Sequence, residues 1–231
     1  MRANHAAWPP SARQTVAAPS PIPTGAWRSV ENFTEAYGIQ CFLGELAAAL
    51  NRDPLDVWLE VYSGPVARVI RLAAEKAGWG SPLPSGQGRG LAYHATFGVT
   101  YVAMVAEVSV DSAAGVRVRR VVAAVDCGKI VNPDNIAAQM EGGIAFGLTA
   151  ALKAQTTVKD GRVQQGNFDD YPILRMDEMP VVEVHIIPSD RPPSGIGEMG
   201  VPPVAPAVAN AVFAATGKRV RRIPILPQMI Y

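Results

Sequence analysis

The sequence predicts an α+β fold, in which a mixed sheet with hairpins packs against several helices. Two stretches of alternating apolar residues, at 98–110 and 116–125, indicate neighbouring strands, and apolar residues three or four positions apart indicate helices around them. Because hairpins and helices are interspersed, the order favours α+β over a doubly wound parallel sheet. Nearly half of the 231 residues are apolar, enough for a sizeable core in one or two domains.

The N-terminal part of the chain predicts a lead-in followed by two helices. Residues 1–24 are rich in Ala, Pro and Ser without periodicity, so we expect them to be disordered or a loop. A first helix is expected from Ser29 to Leu50. A second helix opens at Gly64-Pro65 and ends at Gly78, and residues 81–90, rich in Pro and Gly, predict a loop.

The central part predicts a hairpin and then a long helix. The strand at 98–110 is followed by a turn at 111–115 and by the strand at 116–125. Asn132-Pro133 predicts a helix start with Asn132 as the cap, and this helix is expected to extend to about Lys153.

The C-terminal part predicts short strands and one apolar helix. Asp160-Gly161 indicates a tight turn between two short strands, and residues 181–187 indicate another strand. Residues 203–216 predict a helix closed by Gly217, and residues 219–225 predict a last strand.

Charge and cysteine content exclude several classes of site. The formal net charge is +1 with acids and bases well mixed, which predicts no nucleic-acid partner, and no apolar run reaches the length of a membrane span. Cys41 and Cys127 form no CxxC or Cys/His cluster, so we expect no disulfide framework and assign no metal ligand. Cys127 is expected to be a small buried apolar residue, and His94 and His185 to be structural.

One carboxylate stands out because it lies among glycines. Glu198 is part of the string Gly195-Ile-Gly-Glu-Met-Gly200, shortly before two prolines. Glycine lets a backbone approach a ligand closely, and proline suits the first turn of a helix. The string therefore predicts a tight loop with an acid at its tip. That acid is either a catalytic base beside a cofactor or a helix-start carboxylate.

The same string fits the Gly-x-Gly-x-x-Gly pattern of dinucleotide-binding turns. An NAD(P)-binding oxidoreductase that uses Gly195–Gly200 is therefore an alternative. Against it, the Pro-rich run 188–193 separates the string from the preceding strand, and Lys218 and Arg219 stand where an acid would hold the ribose.

Three further residue types point to cofactor contacts. Gln139 lies on a predicted helix with Gly142 and Gly143, and its amide can both donate and accept at the edge of a heterocycle. Each helix glycine costs about 1 kcal/mol relative to alanine, which implies close backbone approach to a ligand or to a packed neighbour. Arg28, which follows a tryptophan, is either a clamp for an oxyanion or half of a surface stacking pair.

Several strings in one order resemble the molybdopterin-binding large subunit of the xanthine dehydrogenase/aldehyde oxidase family, in particular its isoquinoline 1-oxidoreductase beta-subunit branch. Together the strings are specific, whereas each alone is weak. They are Pro23-Thr-Gly-Ala-Trp-Arg-Ser-Val30, Ala74-Glu-Lys-Ala-Gly-Trp-Gly80, Gly88-Arg-Gly90, Val125-Asp-Cys-Gly128, Val131-Asn-Pro133, Gln139-Met-Glu-Gly-Gly143, Asn167-Phe-Asp-Asp-Tyr171 and Gly195-Ile-Gly-Glu-Met-Gly-Val-Pro-Pro203. The resemblance covers about residues 23–226.

The resemblance implies a molybdenum hydroxylase. Such an enzyme hydroxylates an N-heteroaromatic compound or an aldehyde with water as the oxygen source, and a glutamate acts as general base. The implied cofactor is molybdenum-molybdopterin, in a cytosine dinucleotide form, with iron–sulfur clusters on a 2Fe-2S small subunit and cytochrome c as a further partner. By resemblance the catalytic residue is Glu198, and the cofactor-binding residues are Gln139, Gly142, Gly143, Arg28 and Gly197.

The chain departs from the family pattern in two ways. Met199 stands where this branch commonly has proline, which would leave the loop of Glu198 less rigid. Family large subunits are several times longer, so residues 23–231 are expected to be the C-terminal portion of a molybdopterin-binding domain, and residues 1–22 match nothing in it. We therefore expect the isolated chain to hold cofactor weakly, and an inactive remnant without cofactor is a further alternative.

Overall fold

A central four-stranded sheet carries helices on both of its faces. The computed structural model describes residue 16, residues 19–111 and residues 115–230. Most of the predicted lead-in at 1–24 and the centre of the turn at 111–115 lie outside these residues. Among the helices that are described, none is long and apolar enough to cross a bilayer.

In the described residues three helices come first, three long strands follow, and the remaining helices and strands are interspersed. The helices are α1 (Asn32–Ala49), α2 (Pro54–Val61), α3 (Gly64–Lys76), α4 (Pro133–Leu152) and α5 (Val204–Thr216). The strands are β1 (Gln87–Thr96), β2 (Thr100–Asp111), β3 (Gly115–Asp126), β4 (Val158–Lys159), β5 (Arg162–Val163) and β6 (Val181–Ile186). Single 3-10 turns occur at Met176–Glu178 and Pro227–Met229.

The sheet is mixed, as predicted. Its strand order is β1-β2-β3-β6, with antiparallel pairing of β1 with β2 and of β2 with β3, and parallel pairing of β3 with β6. Strands β4 and β5 form a separate small hairpin whose turn is Asp160-Gly161, both with positive φ, as the sequence indicated. The connection between the parallel strands β3 and β6 contains α4.

Each face of the sheet is buried by a different helix layer. Even-numbered residues of β2, such as Val102 and Met104, pack against α4 and α5. Odd-numbered residues such as Ala103 and Val105 pack against α1, α2 and α3. Because helices cover both faces, β2 is buried at every position from Thr100 to Ala106 instead of at every second one.

The strand β1 was missed by the sequence prediction, which placed a loop over residues 81–90. Gly88 and Gly90 lie inside this strand, where they are required by helix packing. A Cβ at Gly90 would overlap the backbone of Ala207 and Ala211 in α5, and a Cβ at Gly88 would overlap the same helix. These glycines therefore bring helix and strand backbones into contact.

Two other regions differ from the prediction. The short helix α2 was missed, although Asp53 caps it by accepting a hydrogen bond from the Leu55 amide and Pro54 occupies its first position. The strand predicted at 219–225 is wrong. That segment crosses the helices, where the Val220 carbonyl accepts a hydrogen bond from the Tyr37 hydroxyl and the Ile225 amide donates to the Ala151 carbonyl. In the described part of the chain this segment pairs with no strand.

The first testable consequence concerns the contact of β1 with α5. Gly90→Ala would push the strand away from helix backbone that cannot move aside, and should lower the free energy of unfolding by about 3 kcal/mol. Gly38→Ala is the matched control, because Gly38 lies on the exposed side of α1 with nothing near its missing Cβ. It should raise stability by about 1 kcal/mol. Urea denaturation measures both, and equal effects would contradict the packing.

A second consequence concerns His94, whose ring is 1% exposed on β1. Burial lowers the pKa of His94 to about 4, from 6.5. Because the unfolded chain then binds the proton more tightly, stability should fall as pH drops from about 6.5 towards 4, by up to about 3 kcal/mol. The measurement is urea denaturation at several pH values. The drop should be smaller in His94→Gln, and identical pH profiles would contradict it.

Candidate functional site

The acid-bearing string forms a turn that is packed tightly against α4. Residues 197–200 make this turn, between the irregular segment after β6 and the start of α5. A Cβ at Gly143 would lie 3.1 Å from the Gly200 Cα, and a Cβ at Gly200 would lie 2.7 Å from the Met140 carbonyl oxygen. Gly143 is therefore buried in a backbone contact with the loop, which is the close approach that its helix position implied.

Ser29 binds both the side-chain carboxylate and the backbone carbonyl of Glu198. The Ser29 amide donates a 2.6 Å hydrogen bond to Oε2 of the carboxylate, and the Ser29 hydroxyl donates a 2.7 Å bond to the Glu198 carbonyl. Ser29 is completely buried, and Glu198 is half-buried. Within the described residues no hydrogen bond reaches the second carboxylate oxygen, Oε1. The carboxylate of Glu198 is thus anchored through Oε2, and Oε1 accepts no hydrogen bond from the described residues.

Arg28 joins the loop to the long helix. Its Nε donates a 2.9 Å hydrogen bond to the Gly197 carbonyl, and its Nη2 donates to the same carbonyl and, at 3.2 Å, to Oε1 of Gln139. Gln139 is exposed on α4, one helical turn before Gly143. The structure therefore brings together Arg28, Gln139, Gly197 and Glu198, which the sequence places up to 170 residues apart.

An apolar cavity of about 630 Å³ begins beside this cluster. Gly142 is exposed at its edge, and a Cβ there would have the Arg28 guanidinium as its nearest neighbour at 4.0 Å. Trp27 stacks on Phe146 with ring centroids 4.7 Å apart, and Arg28 lies 5.8 Å from the Phe146 centroid. The remaining lining is mostly apolar and includes Phe33, Ala145, Tyr171, Ile173 and Ile223.

Ser29 is the site residue that sequence reasoning missed. It directly follows Arg28 in a string that was otherwise singled out. Its role depends on a left-handed backbone, with φ of 79° at Ser29 and 49° at Val30. This conformation is uncommon for residues other than glycine and especially for valine, so the sequence carries no signal for it.

The structure gives the dinucleotide pattern little support. Residues 187–194 separate β6 from Gly195, so the glycine string does not directly follow a strand. The only parallel pair in the described sheet is β3 with β6, and the string follows this pair instead of lying between its strands.

Two other residues of the strings quoted above have structural roles, one in the core and one in a turn. Cys127 is buried in the core against α4 and α5, and burial raises the pKa of its thiol. Asp170 lies in an exposed turn and accepts hydrogen bonds from the amides of Gly166 and Asn167. Among the described residues no three His, Cys, Asp or Glu side chains are grouped to hold a metal ion.

Known proteins resemble this chain in both sequence and fold. The isoquinoline 1-oxidoreductase subunit beta of Brevundimonas diminuta is 36% identical over 196 residues, which cover 82% of this chain and 25% of that protein. The membrane-bound aldehyde dehydrogenase (pyrroloquinoline-quinone) of Gluconacetobacter polyoxogenes is 34% identical over 224 residues, covering 88% of this chain and 29% of that protein. The chain thus spans less than a third of the length of these relatives.

A solved structure shares the fold. The quinoline 2-oxidoreductase of Pseudomonas putida 86 superposes with a TM-score of 0.79 over 90% of this chain and 52% of that chain, at 13% identity. A family model described as a molybdopterin cofactor-binding domain matches residues 47–180. Because this match covers more than half of the chain, the chain belongs to the molybdopterin cofactor-binding domain family, of the xanthine dehydrogenase type that its motifs predict.

Proposed function

We propose that this chain supplies the general base and part of the cofactor-binding surface of a molybdenum hydroxylase large subunit. The reaction is the oxidative hydroxylation of an N-heteroaromatic compound or an aldehyde, with water as the source of oxygen. The observation that carries the proposal is the convergence of Arg28, Gln139 and Glu198 on one turn. An apolar cavity lined by the neighbouring residues Trp27 and Gly142 lies beside it.

The residues present fit a pterin cofactor at this edge. The Gln139 side chain is exposed, and within the described residues its Nε2 donates to no acceptor, so it can bind an acceptor on a heterocycle. The exposed backbone of Gly142 and Gly197 presents no side chain that would keep a cofactor away. Gly143 acts differently, since it holds the loop against α4.

Glu198 has the features expected of a base. When bound, a molybdenum–pterin group supplies two-electron redox chemistry and oxygen derived from water. The contribution of this chain is a carboxylate whose direction is fixed by the Ser29 amide, with Oε1 left to take up a proton. Arg28 holds the Gly197 carbonyl next to Glu198 and also binds Gln139, so hydrogen bonds link the turn of the base to Gln139.

Further parts are needed for the complete reaction. One relative is named as a beta subunit, and both span more than three times the length covered here. The proposal therefore includes two partners that accept electrons, a 2Fe-2S small subunit and cytochrome c. It also includes a cytosine dinucleotide form of the cofactor. By itself the chain is expected to be inactive.

The role of Glu198 is tested in the protein purified from its own host with the subunits that accompany it. Glu198→Gln should keep the molybdenum content and lower the rate of substrate-dependent dye reduction by about 10²–10⁴-fold, the contribution typical of a general base. Glu75→Gln, an exposed acid on α3, is the control and should leave the rate unchanged. Normal turnover by Glu198→Gln with normal metal content would reject the role of the base.

A second test addresses the cofactor itself. Gln139→Leu keeps the helix but removes the amide that is available to the cofactor, and should lower molybdenum per chain, measured by elemental analysis, several-fold. Thr34→Ala, at an exposed position on α1, is the control. Extraction and identification of the cofactor also separates the alternatives. A quinone in place of a pterin would favour the chemistry named for the second relative, and no cofactor at all would favour an inactive remnant.

A further inference from the structure

We infer that Asn32 and His94 are positioning residues for Glu198 and act through Ser29. The inference rests on the proposed function in that Glu198 is the base to be positioned. The contacts themselves do not depend on it. They run from the core of the sheet to the carboxylate in one uninterrupted series.

The first link is the backbone at Ser29, which adopts a conformation that needs support. Ser29 and Val30 are consecutive non-glycine residues with positive φ, and such residues persist only where their surroundings hold them. This conformation is what directs the Ser29 amide at Oε2 of Glu198. The amide and the carbonyl of Ser29 belong to neighbouring peptide units joined at its Cα, so a group that holds the carbonyl restrains the direction of the amide and thereby the carboxylate.

The second link is the side chain of Asn32, which is 5% exposed. Its Nδ2 donates a 3.0 Å hydrogen bond to the Ser29 carbonyl, which also accepts from the Asn32 amide at 3.0 Å. Its Oδ1 accepts from the Phe97 amide at 3.4 Å and lies 2.9 Å from Nε2 of His94. Both ends of the Asn32 amide are thus engaged, and the carbonyl of Ser29 has one fixed position.

The third link fixes the proton on His94. A backbone amide only donates, so the Asn32 atom that faces Phe97 must be the oxygen, and the His94 nitrogen bonded to that oxygen must carry hydrogen. Burial lowers the pKa of His94 to about 4, so at pH 7 the ring is neutral and its one hydrogen is on Nε2. Its Nδ1 is buried and has no hydrogen-bond partner within the described residues. The His94 ring therefore positions Asn32 through one hydrogen bond, from its Nε2.

Amide hydrogen exchange of the chain as purified tests the series. Asn32→Ala and His94→Leu should each speed exchange of the Ser29 amide, relative to the Met104 amide in the core of β2, by about tenfold or more, since each leaves a buried polar group unpaired. His94→Gln should restore the wild-type ratio, because the glutamine Nε2 reaches the same place as the histidine Nε2 and donates in the same way.

Gln40→Leu is the matched control for a general loss of stability. Gln40 is buried on the same helix and bonds to Trp58, Tyr62 and the Tyr93 amide, but it does not touch Ser29. Gln40→Leu should speed hydrogen exchange of the Ser29 and Met104 amides equally, so that the ratio of their exchange rates stays unchanged. A rise in the ratio with Gln40→Leu, or an unchanged ratio with Asn32→Ala, would overturn the inference.

A measurement on the unmodified chain does not depend on the folding of any variant. The ¹⁵N chemical shifts of the His94 ring at pH 7 should show hydrogen on Nε2, and hydrogen on Nδ1 would overturn the inference. In the purified assembly, Asn32→Ala should lower kcat by about tenfold with KM unchanged, the pattern of a lost transition-state contact. If the exchange results hold while Glu198→Gln stays active, the positioning series stands and the proposed function falls.

Discussion

The close contact between α4 and the turn that follows β6 fixes the geometry of the whole candidate site. Gly143 and Gly200 let the two backbones meet at a distance that any side chain would prevent. Gln139 lies one helical turn before Gly143 on the same face of α4, and Glu198 lies two residues before Gly200. The two polar side chains are therefore held in register by a contact made only of main chain.

The N-terminal segment completes the site by binding to both of these residues. Arg28 donates to the Gly197 carbonyl and to Gln139, and Ser29 binds both the carboxylate and the carbonyl of Glu198. These are charge-assisted or buried hydrogen bonds, which contribute more than exposed ones. The site thus depends on three distant parts of the chain, and a change in any of them is expected to act on Glu198.

Much of the fold was accessible from local patterns, and the failures have local reasons. The helices α3 and α4, the hairpin of β2 with β3 and the small hairpin at Asp160-Gly161 were predicted because periodicity, caps and turn residues agree there. The strand β1 was missed because Gly88 and Gly90 imitate a loop while serving helix packing. The segment 219–225 has a strand-like composition, but its backbone forms hydrogen bonds with Tyr37 and Ala151 of the helices and pairs with no described strand.

For the site, the sequence by itself determined the chemical groups: an acid among glycines at 195–200, an amide at Gln139 and a guanidinium at Arg28. Only the tertiary structure decided that Ser29, in a left-handed conformation beside buried Asn32 and His94, aims its amide at Glu198. The physical reason is that residue type fixes which hydrogen bonds a group can form. Which partner it meets across some 170 residues depends on how the sheet and its two helix layers pack.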